Sequence, residues 1–65
     1  MTLHERVVGV RELARKRDCE EALVLATKAQ CFANGGLTDH AEESLEAAHL
    51  ALEAWGIPVV DAVAR

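Results

Sequence analysis

Five side chains in this chain have the chemistry to hold a transition metal: His4, Cys19, Cys31, His40 and His49. Thiolates and imidazoles are the usual zinc ligands, but zinc sites bring them together at short spacings such as Cys-x-x-Cys. No such spacing occurs, and no His-x-x-x-His either. Both cysteines are expected on one helix. Twelve residues along a helix span about 18 Å, whereas a disulfide needs Cα atoms within roughly 7 Å. Cys19 and Cys31 therefore cannot pair within one chain or share an ion. The expectation is two reduced, buried cysteines and partly exposed histidines, with no metal and no cofactor.

Nucleophilic and phosphate chemistry fare no better. Ser44 and Thr27 fall mid-helix, outside any strand-turn-helix elbow. Gly35-Gly36 is followed by Leu37 and lacks the lysine of a phosphate-binding loop. The carboxylates line a helix exterior, and a 65-residue chain is small to build a pocket that desolvates them. The chain reads as a non-enzyme with no small-molecule substrate and no catalytic residues.

The elements that position these residues are helices. Thr2 precedes Glu5 by three, Asp18 precedes Glu21 by three, and Asp39 precedes Glu42 by three. Each is the spacing of a capping box. Arg15-Lys16-Arg17 places positive charge at a helix C-terminus, Gly35-Gly36 ends a second helix and Gly56 a third. Pro58 suits the first turn of a short tail helix. The expected architecture is all-α: one domain over residues 1–65, a small antiparallel three-helix bundle with a short C-terminal fourth helix. The helices fall at about 3–17, 19–34, 40–55 and 58–64.

The apolar faces follow from about 100° per residue. In helix one, Leu3, Val7, Val10, Leu13 and Ala14 share an arc of about 120°. In helix three, Ala41, Leu45, Ala48, Leu52 and Trp55 form a narrow seam, with Glu42, Glu43, Glu46 and Glu53 on the other side. Helix two carries one stripe of Ala22, Leu25, Ala26, Ala29, Phe32 and Ala33. It carries a second of Leu23, Val24 and Cys31 on roughly the opposite side. The expected core holds Leu3, Val7, Val10, Leu13, Leu25, Ala29, Phe32, Leu45, Ala48, Leu52 and Trp55. The second stripe of helix two needs a cover, either the tail helix through Val59, Val60 and Val63 or another chain, and a homodimer or a larger assembly is the expectation. Glu20-Glu21-Ala22-Leu23 is echoed by Glu42-Glu43-Ser44-Leu45, which reads as shared packing rules of two Ala-Leu helices.

Charge is divided unevenly. Up to Arg17 there are five basic and two acidic residues; beyond it, two basic and nine acidic ones, within a net charge of −4. A nucleic-acid partner would have to use the basic edge of helix one, made of His4, Arg11 and Arg15 and extended by Lys16 and Arg17. The same cations are equally explained by pairing with the glutamates of helix three. Helix three, in the place of a recognition helix, would present Asp39, Glu42, Glu43, Glu46 and Glu53 to phosphates and be repelled. Protein binding fits better. Leu23, Val24 and Cys31 would form the partner-binding stripe, with Val8 and Leu50 on the outer faces of helices one and three. The partner is then another protein or a second copy, and nucleic acid is the runner-up.

Composition sets the scale. Half the residues are hydrophobic (51%), but many are alanine, and aromatic residues are 3%. Alanine buries little area, so a domain this small sits near the margin of stability. No apolar run reaches the roughly 18 residues of a membrane span, and the N-terminus lacks a signal-peptide core. The expected location is the cytoplasm.

Glu20-Glu21-Ala22, Lys28-Ala29-Gln30 and Gly36-Leu37, preceded by Val10-Arg11-Glu12-Leu13-Ala14, resemble an uncharacterised helical domain family of bacteria and their phages. The likeness covers about residues 4–37, without that family's usual polar loop between helices one and two. It implies a small helical module of bacterial or phage origin and carries no activity. Ala41-Glu42-Glu43-Ser44-Leu45 and Ala51-Leu52-Glu53 also resemble the second helix of a tetratricopeptide repeat, although the preceding helix lacks that repeat's Trp-Leu-Gly-Tyr positions. This second resemblance implies paired helices offering a protein-binding face. Together these readings point to a cytoplasmic interaction or regulatory module, an adaptor or a small subunit.

Overall fold

The computed structural model describes residues 2–57. Three helices account for nearly all of them: α1 (Leu3–Lys16), α2 (Glu20–Asn34) and α3 (Thr38–Ala54), with no strand among the described residues. The expected tail helix at 58–64 lies outside the described residues, as does its cover over α2.

α1 opens as its sequence predicts. The Glu5 N–H donates to Thr2 Oγ1 at 3.2 Å, and the Thr2 N–H donates back to Glu5 Oε1 at 3.1 Å. The other two capping boxes do not form. The N-caps of α2 and α3 are Cys19 and Leu37, and neither makes a side-chain capping bond. Asp18 instead belongs to the end of α1, and Asp39 lies inside the first turn of α3.

The reason is the way the helices stop. All three end in the same Schellman turn. Cys19 N–H donates to the Ala14 carbonyl at 2.9 Å and Asp18 N–H to Arg15 at 3.3 Å. Leu37 bonds Phe32 (2.8 Å) and Gly36 bonds Ala33 (3.1 Å) in the same pattern; Ile57 bonds Leu52 and Gly56 bonds Glu53, both at 2.9 Å. The residue that reverses the chain takes a left-handed conformation: Asp18 at φ 54°, Gly36 at 79° and Gly56 at 75°. The residue after it is apolar, as this motif favours. Cys19 and Leu37 then serve twice, because their own carbonyls accept the first bonds of the next helix from Leu23 (3.0 Å) and Ala41 (2.9 Å). One residue cannot be both the apolar end of one helix and a polar cap of the next.

Each connection is three residues and reaches at most about 11 Å, less than the roughly 21 Å length of α1. Helices that pack along their length across such a link must reverse direction. Two cross-helix contacts agree. Arg11, in the middle of α1, donates to Gln30 near the end of α2 at 2.8 Å, and Arg6 meets Glu42 near the start of α3 at 3.7 Å. α1 and α2 are antiparallel, and the starts of α1 and α3 lie together. α2 packs extensively on both neighbours, which touch each other much less.

The helix with two packed sides is also the one with the smallest buried residues. Ala22, Ala26 and Ala29 are fully buried on α2 and let both neighbours approach closely. Val7, Val10 and Ala14 come from α1; Ala41, Leu45, Ala48, Ala51 and Leu52 come from α3. Cys19 and Ile57, the apolar residues of the first and third turns, plug the ends. Leu3, Leu13 and Leu25 pack against this core while remaining partly exposed, and Phe32 is half-buried with its ring 5.4 Å from that of His40. Trp55 departs from the expected core. It is the C-cap of α3 and stands 59% exposed, because the helix stops there and the chain turns through Gly56 to bury Ile57 instead.

Candidate interaction surface

Val24 and Cys31 lie on the side of α2 opposite its alanines. Their seven-residue spacing puts them on one line, about 10 Å apart. Val24 is 57% exposed, and Cys31 is exposed rather than buried as its apolar character suggested. Cys19 is buried, and both thiols are free.

Leu23 does not join them. It packs against the core and is only half-exposed. A step of 100° turns it toward α1, on the same side as Gln30 seven residues later, which accepts the Arg11 bond. The expected stripe of Leu23, Val24 and Cys31 is thus split between a seam and an outer face.

That seam brings together two surfaces that the sequence treats as rivals. Ala14, Arg15, Asp18, Glu20 and Leu23 line one surface depression of about 390 Å³ where α1 turns into α2. The basic edge of α1 therefore borders the apolar flank of α2. His4, Arg15, Lys16 and Arg17 are exposed, and Arg11 is half-buried. Arg15 pairs at 2.8 Å with Glu12 on its own helix. Among the described residues these cations make no pair with the α3 glutamates, because Arg11 and Arg15 lie on the α2 side of α1. Arg6 alone, on the other side, meets an α3 carboxylate among the described residues.

Val8 and Leu50 lie on the outer faces, as expected, at 36% and 62% exposure. Leu37, 50% exposed in the second turn, is an apolar surface residue that the faces of the helices do not reveal. Its signal is its place after Gly36, where the turn motif asks for an apolar residue. A smaller depression of about 280 Å³ lies beside it, along Gly36–His40.

The residues first considered for chemistry stay apart. Among the described residues no group of three or more His, Cys, Asp or Glu side chains is placed to hold a metal. Thr27 donates its hydroxyl to the Leu23 carbonyl at 2.8 Å, an ordinary helix back-bond. No described helix is long and apolar enough to cross a membrane. Compared with known proteins, the chain matches no family model, no curated protein and no solved structure.

Proposed function

We propose that this chain is a small cytoplasmic protein–protein interaction or regulatory module, an adaptor or small subunit. It binds a partner helix or a second copy of itself through the outer side of α2, with Val24 and Cys31 as the centre and Leu23 as the flank. The observation that carries this reading is an inversion of size. Alanines fill the buried side of α2, while Val24 stands out in solvent on the opposite side. A single exposed valine is ordinary. Its place beside Cys31, on the helix that already packs on two sides, makes it the natural third contact.

Val24→Glu tests the reading without disturbing the interior, which Leu23→Glu would not. The variant should keep its helical circular dichroism and lose oligomer formation or capture of the partner. Unchanged mass by light scattering together with unchanged capture overturns the proposal. The basic edge supports nucleic-acid binding less well, since Glu12 already neutralises Arg15 and Arg11 is engaged with Gln30. A mobility shift at low salt, lost in Arg11→Ala/Arg15→Ala, would reverse that preference.

A further inference from the structure

The outer side of α2 carries charge around Val24, and the fold leaves that charge unused. Glu20, Glu21, Thr27 and Lys28 are all exposed. Among the described residues neither glutamate nor the lysine takes part in an ion pair. The helix offers Lys28 no partner of its own. The residues three and four places from it are Val24, Leu25, Cys31 and Phe32, and Glu21 and Glu20 precede it by seven and eight. At about 100° per residue, Glu21 and Lys28 share one edge of the face and Glu20 and Thr27 the other. On each edge one member lies about a turn before Val24 and the other about a turn after it. This arrangement is complementary to itself. In a two-fold antiparallel contact, a residue one turn before the axis meets the residue one turn after it on the same edge of the second copy. With Val24 on the axis, Glu21 of each copy faces Lys28 of the other, Glu20 faces Thr27, and the two valines meet at the centre. Other registers are worse matched. Setting Val24 on Cys31 puts the axis between Thr27 and Lys28 and brings the two lysines together. A parallel contact sets the glutamates of one copy beside those of the other.

We propose that the outer side of α2 pairs antiparallel with the same side of α2 in a second copy, with Val24 on the two-fold axis and two Glu21–Lys28 ion pairs beside it. This inference rests on the reading of the outer side of α2 as an interaction surface, and it assigns a second copy and one register to that surface. Exposed ion pairs add little affinity, but they fix orientation and exclude the registers in which like charges meet. The contact is isologous, so it closes at two chains.

Sedimentation equilibrium of the full chain over a wide concentration range tests it. The average mass should rise from the 7.0 kDa of one chain toward twice that value and no further. Lys28→Glu, and separately Glu21→Lys, should each weaken the dimer by roughly tenfold with unchanged helical signal. The exchange Lys28→Glu/Glu21→Lys rebuilds both pairs and should restore the dimer, a rescue that damage to α2 alone does not produce. Val24→Cys/Cys31→Ser should cross-link to its own copy under oxidised glutathione. The two Cys31 thiols of the unaltered chain stand about 21 Å apart along the paired helices and should not. A single-chain mass at every concentration overturns the proposal, and so does a dimer indifferent to charge reversal. A cross-link from position 24 to Cys31 in Val24→Cys overturns it as well, by showing the other register. If the chain is a monomer and Val24→Glu still abolishes capture of a different protein, the α2 reading stands and this one fails. If Val24→Glu changes neither mass nor capture, both fail.

Discussion

Asp18 and Gly36 occupy the same backbone position in successive turns, each being the left-handed residue that closes a helix, at φ 54° and 79°. Glycine adopts this conformation freely, whereas a side chain there costs about 1 kcal/mol. Asp18→Gly should therefore stabilise the domain by about 0.5–1 kcal/mol, raising the thermal midpoint by a few degrees. Gly36→Ala should lower it by a similar amount. A Cβ added at Gly36 meets no atom within 4 Å, so that loss is conformational alone. Thermal melts followed by circular dichroism check both. A lower midpoint for Asp18→Gly would mean that its carboxylate contributes more than its backbone costs.

The interior and the surface should respond in opposite ways to truncation. Leu45 is fully buried, and Leu45→Ala should cost about 2–5 kcal/mol. A single core this small supplies only about 3–5 kcal/mol in total, so the variant should be largely unfolded at room temperature. Val24→Ala should change stability by less than about 0.5 kcal/mol. Ala26→Leu should destabilise by about 1–3 kcal/mol or more, since α2 has no room for it between its neighbours. Urea titrations of the three variants would show this order, and a tolerated leucine at position 26 would contradict the close approach of the helices.

The Glu5 carboxyl should titrate below the ordinary glutamate range. The backbone N–H of Thr2 donates to it, and the Thr2 hydroxyl adds a second bond at 3.0 Å; both favour the ionised form. Because the folded value is lowered, the contribution to stability is present above the unfolded carboxylate value. It is lost as pH falls through the lowered one. NMR titration of Glu5 should give a depressed midpoint that moves back up in Thr2→Ala. A midpoint at the ordinary value would mean that the capping box does not persist in solution.

The two thiols should differ sharply in reactivity. Cys31 is exposed and should react with a thiol reagent in the native protein, while buried Cys19 should be modified only when the chain opens. One fast and one slow equivalent is the expected stoichiometry, and mass spectrometry of the digest should place the fast one at Cys31. Rapid modification of both would show that the first turn is open in solution.

The three candidate capping boxes mark how far local pattern carries. All three have the same spacing, and only Thr2–Glu5 forms. Among the described residues no helix ends at that box, so local chemistry decides it. The other two fall where one helix ends and the next begins, and the needs of the ending helix prevail. Trp55 shows the same effect. Its spacing matches the α3 seam, but the helix stops at Ala54 and the turn points it outward. The exposure of Val8, Val24 and Leu50 was legible from their positions on the helices, whereas the apolar character of Cys31 suggested burial and it is exposed. The place of Leu23 was not legible, because a residue on the border of two faces goes to whichever neighbour comes closer.

The sequence by itself determined that the described residues are helical without strands, where their three helices start and stop to within two residues, and which positions on each helix are small or apolar. These follow from periodicity, glycine placement and charge at helix ends, all of which act over one or two turns. Only the tertiary structure decided that α2 lies between the other helices, that Arg11 leans on Gln30 rather than on α3, and that the α1 cations and α3 carboxylates mostly remain apart. Those outcomes depend on the rotation of each helix about its axis, which is set by how closely the alanine faces of α2 can be approached. No residue determines that rotation alone.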